Sequence, residues 1–266
     1  MAPGQLIGRR VLVTGASSGI GALVSTMLAF RGARVVGTGR SFSGLALALD
    51  AVVVRDLTEP GAPDDVVNAA VSALGGLDVI ISSAGAGWLG PYTSMTPAEV
   101  DAMVDLNLRV PMHLARAGAP HLLASHGQLV LVGSIAGLVG VAEEVAYGAA
   151  KAGLRGLADG LRAEWAPQAT VTLVSPGAVA TAFFSRRNQP YGRAWPRPLP
   201  VAPVARSIVR AIECRRSEVV VPAWLSVAAR LNGGFPELYR VLAPQAGSGS
   251  RSGLTQGCWG RHCSDS

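Results

Sequence analysis

Short apolar, β-branched runs alternate along this chain with longer stretches rich in Ala and Leu. The runs Val11–Thr14, Arg34–Gly37, Ala51–Val54, Asp78–Ile81, Leu129–Val132, Val171–Val174 and Glu218–Val221 predict strands. They are nearly continuous in apolar residues rather than alternating, which is the pattern of strands covered on both faces of a parallel sheet. Between them, Ile20–Phe30, Asp64–Leu74, Pro97–Ala124 and Ala142–Trp165 predict helices. Strands and helices in regular alternation predict an α/β fold, a doubly wound parallel sheet of about seven strands with helices on both faces.

Two segments break this rhythm. Residues 183–203 hold Phe183, Phe184, Tyr191 and Trp195 among five prolines, and a connection of that length inside a compact domain is usually functional. Residues 246–266 are rich in Gly and Ser and are expected to form a flexible tail. No repeat or linker interrupts the rest, so 1–245 is expected to be a single domain.

Composition narrows the function. Of 266 residues, 49% are hydrophobic and 15% charged, enough for a sizeable core. No run of about eighteen apolar residues predicts a membrane span, and the N-terminus lacks the apolar stretch of a signal peptide. The cysteines Cys214, Cys258 and Cys263 make neither a disulfide framework nor zinc spacing. A cytoplasmic setting is the simplest expectation, and no metal is expected, Cys258, His262 and Cys263 lying in the tail. The net charge of +6 is spread over scattered arginines without a basic helix, so nucleic acid is not an expected partner. The apolar spacing of Pro222–Leu242 suits packing on the pocket better than contact with a membrane surface. His113, His121 and His126 form no partner pattern.

Three local patterns carry chemistry. After the first strand stands Thr14-Gly15-Ala16-Ser17-Ser18-Gly19-Ile20-Gly21, leading straight into a helix. Glycines here permit a tight turn and close backbone approach, and the helix start offers N–H groups to a pyrophosphate. This makes the sheet Rossmann-like. At the end of the second strand stands Arg40, with no carboxylate. An arginine there suits the 2′-phosphate of NADP, where an acid would suit the ribose of NAD. Finally, Lys151 is the only lysine of the chain and follows Tyr147 by four residues. On a helix the two share a face, where an ammonium can lower a phenol's pKa from about 10 into a useful range.

These motifs, in this order, resemble the classical short-chain dehydrogenase/reductase family from residue 8 to about 225. Further members of the pattern are Asp56-Leu57-Thr58, Gly76 through Gly85, Asn107, Ser134 thirteen residues before Tyr147, and Pro176-Gly177-Ala178-Val179-Ala180-Thr181. The resemblance implies that Tyr147 is the acid or base, that Lys151 lowers its pKa and holds the nicotinamide ribose, and that Ser134 holds the substrate oxygen. It implies that Asn107 orders a water in a proton relay from Lys151. It places a dinucleotide against Gly15, Ser17, Ser18, Gly19, Ile20, Gly21, Arg40, Asp56, Leu57, Ser83, Ala84, Gly85, Tyr147, Lys151, Pro176, Gly177, Val179 and Thr181. Where the family has Asn-Asn-Ala-Gly, this chain has Ser82-Ser83-Ala84-Gly85, exchanging two bracing amides for shorter hydroxyls.

The expected activity is NADP(H)-dependent interconversion of a carbonyl and a secondary alcohol. The aromatics of 183–203 predict an apolar lid over a hydrophobic substrate. Arg186, Arg187, Arg193 and Arg197 on the same loop would either face solvent or meet an anionic group of that substrate. The resemblance also implies a homodimer or homotetramer built on the helices that hold Asn107 and Tyr147. Two alternatives stand beside this reading: an NADP-binding sensor without turnover, and a dehydratase or epimerase on the same fold.

Overall fold

A computed structural model of the chain describes residues 6–42, 48–189, 191–192 and 196–242. The expected tail 246–266, together with Arg193 and Trp195, lies outside the described residues. Seven strands form one sheet: β1 (Arg10–Thr14), β2 (Arg34–Gly39), β3 (Ala51–Val54), β4 (Val79–Ser82), β5 (Gln128–Val132), β6 (Thr170–Pro176) and β7 (Glu218–Val221). Their order is β3-β2-β1-β4-β5-β6-β7, and every pairing is parallel. This is the doubly wound sheet that the apolar runs predict.

The sheet's pleat divides the core into two layers. Leu12, Ile80, Leu129, Leu131 and Leu173 point to one face, under α2 (Ala62–Leu74), α4 (Val110–Ala124) and α5 (Val145–Trp165). Val11, Val13, Val35, Ile81, Val130 and Val174 point to the other, under α1 (Gly19–Ala29) and α7 (Val201–Glu213). In β5 all five residues are buried, which explains why the runs carry no polar alternation. Among the described residues no helix is long and apolar enough to cross a membrane.

The expected helix over 97–124 runs unbroken but is not regular throughout. It begins as α3 (Pro97–Val104), started by a capping box in which Thr96 and Glu99 bond each other's backbone N–H. It then widens into one π-helical turn at Asp105–Arg109 before α4. Asn107, at the centre of that turn, is fully buried and donates its Nδ2 to the carbonyls of Met103 (2.9 Å) and Ala86 (3.0 Å). A side-chain amide bonding the carbonyl four residues back competes with the regular ladder, and the local winding loosens. Periodicity alone does not report this competition.

The loop over 183–203 also carries structure. A short helix α6 (Phe183–Arg186) opens it. A bridge between Val179 and Leu199, with Ala180 N–H to Leu199 O and Leu199 N–H to Ala178 O at 2.8 Å each, closes its base. After β7 the chain adds α8 (Leu225–Gly234) and α9 (Pro236–Leu242). The connections run opposite ways from β1 and from β4, so a crevice opens beyond their carboxyl ends.

Candidate active site

That crevice is a cavity of about 1490 Å³. One end is formed by the turn between β1 and α1. Gly15 and Gly19 hold φ of +68° and +58°, a backbone region that favours glycine. A Cβ on Gly15 would lie 3.0 Å from the Ala84 backbone, and one on Gly21 would be driven into the Gly15 carbonyl. The turn is therefore wound tightly on itself and against the end of β4. Thr14 Oγ1 fastens the two by accepting from the N–H groups of Ser83 (3.0 Å) and Ala84 (3.1 Å). So the strand end that carries Ser82-Ser83 is braced from β1, by a hydroxyl that sequence reading passed over. No side chain caps α1, and its first turn holds no acidic residue, so the positive end of the helix faces the cavity.

Arg40 is exposed at the end of β2, on the rim of the same space. Asp56 stands near it. Its Oδ1 accepts from the Thr58 N–H (3.0 Å) and hydroxyl (2.7 Å). These bonds first, and the charge of Arg40 after them, hold the Asp56 carboxyl below its ordinary pKa.

At the other end, α5 carries Tyr147 and Lys151 on one face. Lys151 is 6% exposed, and its Nζ donates to Val132 O at 2.9 Å and lies 5.8 Å from the centre of the Tyr147 ring. Burial lowers its pKa from 10.5 to about 8. Tyr147 differs from expectation. Burial raises the phenol to about 12, a hydrogen bond from Ser134 opposes the rise, Glu144 adds to it, and Arg187 opposes it. The neighbouring ammonium is not among these causes. Sharing a helix face brings Lys151 over the ring but does not by itself pull the phenol down, because desolvation dominates here.

Ser134 reaches Tyr147 because β5 ends in a single 3-10 turn, Ile135–Gly137, that Ser134 caps by accepting from Ala136 N–H. The turn lies directly on the backbone of α5. A Cβ on Gly137 would come within 2.5 Å of the Lys151 carbonyl carbon. Asn107 lies beneath the cavity wall. Its Oδ1 is buried without a partner, and a Cβ on Gly85 would meet that oxygen at 2.9 Å and Lys151 Nζ at 3.6 Å. Asn107, Gly85 and Lys151 therefore converge.

Every other residue that the sequence suggests for catalysis or cofactor binding lines this one cavity. Thr181 packs on the turn, its methyl 3.3 Å from a Cβ built on Gly19. The loop over 183–203 covers the site with Phe183, Phe184 and Tyr191, stacked in sequence from the Tyr147 ring. Arg186 spans the cleft to donate to Ser18 Oγ at 3.1 Å. Arg187, expected in solvent or on a substrate anion, is instead buried and ion-paired to Glu144 at 3.2 Å. The segment Pro222–Leu242, expected to pack on the pocket, does so: Trp224, Leu225 and Tyr239 line the far wall. Glu144 had a readable signal: it stands three residues before Tyr147, one helical turn away.

The geometry agrees with comparison to known proteins. The family model for short chain dehydrogenase matches residues 9–192. The chain is 36% identical over 186 residues to an uncharacterised oxidoreductase of Staphylococcus aureus, covering 66% of this chain and 80% of that protein. It is 33% identical over 213 residues to a 2,3-dihydroxy-2,3-dihydro-p-cumate dehydrogenase of Pseudomonas putida, covering 76% and 82%. Among solved structures, a short chain dehydrogenase from Burkholderia cenocepacia in complex with NADP superposes with a TM-score of 0.73 at 27% identity, covering 82% of this chain and 97% of that one. An alcohol dehydrogenase from the archaeon Thermococcus sibiricus, complexed with 5-hydroxy-NADP, shares the fold at a TM-score of 0.72 and 20% identity, covering 80% and 95%. The chain belongs to the short-chain dehydrogenase family of oxidoreductases.

Proposed function

We propose that the protein is an NADP(H)-dependent oxidoreductase that interconverts a hydrophobic carbonyl compound and its secondary alcohol, with Tyr147 as the proton donor or acceptor. The observation that carries this reading is the continuity of one cavity from the glycine turn and Arg40 to Ser134, Tyr147 and Lys151. The residues present fit a dinucleotide. The turn is packed so closely that a Cβ on Gly21 has no room, the uncapped end of α1 suits a diphosphate, and Arg40 suits a 2′-phosphate. Leu57, Ser83, Ala84 and Gly85 would flank the adenosine half, and Pro176, Gly177, Val179 and Thr181 the nicotinamide half. Bound there, the dinucleotide would supply the hydride.

The chain's own groups handle the oxygen and the proton. Ser134 would hold the substrate oxygen by hydrogen bond and stabilise charge forming on it. Tyr147 Oη would give its proton to that oxygen in reduction and take it in oxidation. Burial keeps the phenol protonated through neutral pH, so reduction should run level across neutral pH and decline only in alkali. Asn107 Oδ1, oriented by its two Nδ2 bonds beside Lys151 Nζ, would fix the position of a proton carrier behind Tyr147. Phe183, Phe184 and Tyr191 would exclude water and meet the apolar body of the substrate.

The test is NADPH consumption over a panel of aldehydes and ketones of rising size, with NADH alongside and Tyr147→Phe as control. Turnover with NADPH should vanish in the variant while NADPH binding persists. Equal turnover in the variant would remove Tyr147 from the mechanism, and equal use of NADH would remove the assignment to Arg40.

A further inference from the structure

The site reading leaves one charged unit unused. Glu144 is the residue from which α5 starts, three positions ahead of Tyr147. Arg187 follows α6 on the lid. Their side chains are 13% and 2% exposed, and they meet at 3.2 Å between Nη1 and Oε1. Exposed ion pairs are weak and dispensable, but a buried pair is costly to break from one side, because the partner keeps its charge in a medium that solvates it poorly. This pair joins two elements far apart in sequence, and both of them touch the catalytic tyrosine.

The rest of Arg187 is equally committed. Its Nε donates to Gln189 O at 2.7 Å. Its guanidinium lies 4.7 Å from the centre of the Phe184 ring, a cation–π distance. Phe184 packs edge-on against Phe183, and Phe183 packs on Tyr147 with ring centres 5.7 Å apart. The next residue, Asn188, clamps the other side of the cleft, exchanging bonds with both the N–H (2.9 Å) and the carbonyl (2.6 Å) of Leu89.

We propose that the Glu144–Arg187 ion pair is a latch that seats the lid on the catalytic helix, with Arg187 a positioning residue that both holds Phe183 against Tyr147 and balances the carboxylate beside it. The proposal rests on the assignment of Tyr147 made above. The charges that face the phenol are Glu144 and Lys151 from α5 and Arg187 from the lid, with the neutral Ser134 hydroxyl completing the shell. Glu144 disfavours the phenolate and Arg187 favours it. Paired, they act on Tyr147 as a dipole, and the phenol is spared an uncompensated carboxylate one helical turn away. The lid then has a chemical consequence as well as a steric one: opening it would remove the cation and leave the anion.

The test is a double-mutant cycle in the full chain with NADP(H) present: Arg187→Gln, Glu144→Gln and the pair together. Glu144→Gln should move the alkaline limb of the pH–rate profile downward by about one pH unit, in line with the loss of a nearby anion. Adding Arg187→Gln should return the limb to within a few tenths of the parent. A latch that served only to hold the lid would lower the rate at every pH without moving the limb, and the second substitution would not restore it; either result overturns the proposal. A second readout needs no turnover. Ultraviolet titration of tyrosine, taken as the difference between a protein and its Tyr147→Phe form, should place the Glu144→Gln midpoint below the parent. An unmoved midpoint also overturns the proposal. If no carbonyl is reduced yet the midpoint moves, the latch stands and the catalytic reading fails, so the two are separable.

Discussion

Lys151 shows at the level of one residue how function and stability pull apart. An ammonium buried to 6% exposure and lowered to about 8 is held against its preference for water. A lowered lysine pKa means that the unfolded chain binds the proton more tightly, so the burden is full below about pH 8 and gone above 10.5. Lys151→Met should therefore be more stable than the parent at pH 7, by on the order of 3 kcal/mol at most, since one pKa unit corresponds to about 1.4 kcal/mol. The advantage should fade between pH 8 and 10.5, and activity should fall at every pH. Denaturant midpoints of both proteins at pH 7 and pH 10.5 check this, and a constant gap would contradict it. Arg40 allows a simpler prediction. Arg40→Ala should raise the apparent Kd for NADPH about tenfold or more, the value of one charge-assisted bond, and leave NADH nearly unchanged. Fluorescence titration with the two dinucleotides reads it directly. Tyr147, Lys151, Ser134 and Asn107 were legible as residue types at set spacings. The raised pKa of Tyr147 was not, because desolvation depends on what folds over the ring, and Phe183 lies thirty-six positions away.

Among the elements, the strands were the most readable and the turns the least. The central strands announce themselves because both faces are buried, as in β5, while the edge strands β3 and β7 are only partly covered and show through their β-branched runs. The single turns that shape the site answer to particular contacts. The π-turn at Asp105–Arg109 depends on one amide bonding back to Met103. The 3-10 turn at Ile135–Gly137 depends on a glycine without which α5 would have to move away. Gly137→Ala should therefore separate Ser134 from Tyr147: kcat should drop, by about tenfold or more if one transition-state hydrogen bond worth ~1.4 kcal/mol is lost, while NADPH affinity changes little. A Kd that rises with no loss of kcat would show that the turn serves the cofactor instead. Gly21→Ala should behave in the opposite sense, weakening dinucleotide binding and costing roughly 1–3 kcal/mol of stability through overpacking.

For the whole molecule, the alternation of strand and helix was enough to foresee the parallel sheet, and the place of the glycine turn was enough to foresee at which edge of it the cavity opens. The cavity's far wall was foreseeable only as a segment: the apolar spacing of Pro222–Leu242 marked it for the pocket, but which side chains line it, Trp224, Leu225 and Tyr239, depends on how the chain returns after β7. We expect the molecule to self-associate through α4 and α5, where Met112 and Val145 are exposed at 49% and 48%. Sedimentation at micromolar concentration should show a dimer or tetramer, and a monomer alone would rule this assembly out. The chain's surface cations are all arginines, so the only ε-amine lies on the floor of the cleft. Acylating or reductive-alkylating reagents, which on most proteins decorate the outside at many points, have a single side chain to find here. The extent of that one modification, read as the mass increment on the peptide that carries Lys151 and so apart from the α-amine, would report how often the cleft admits the reagent.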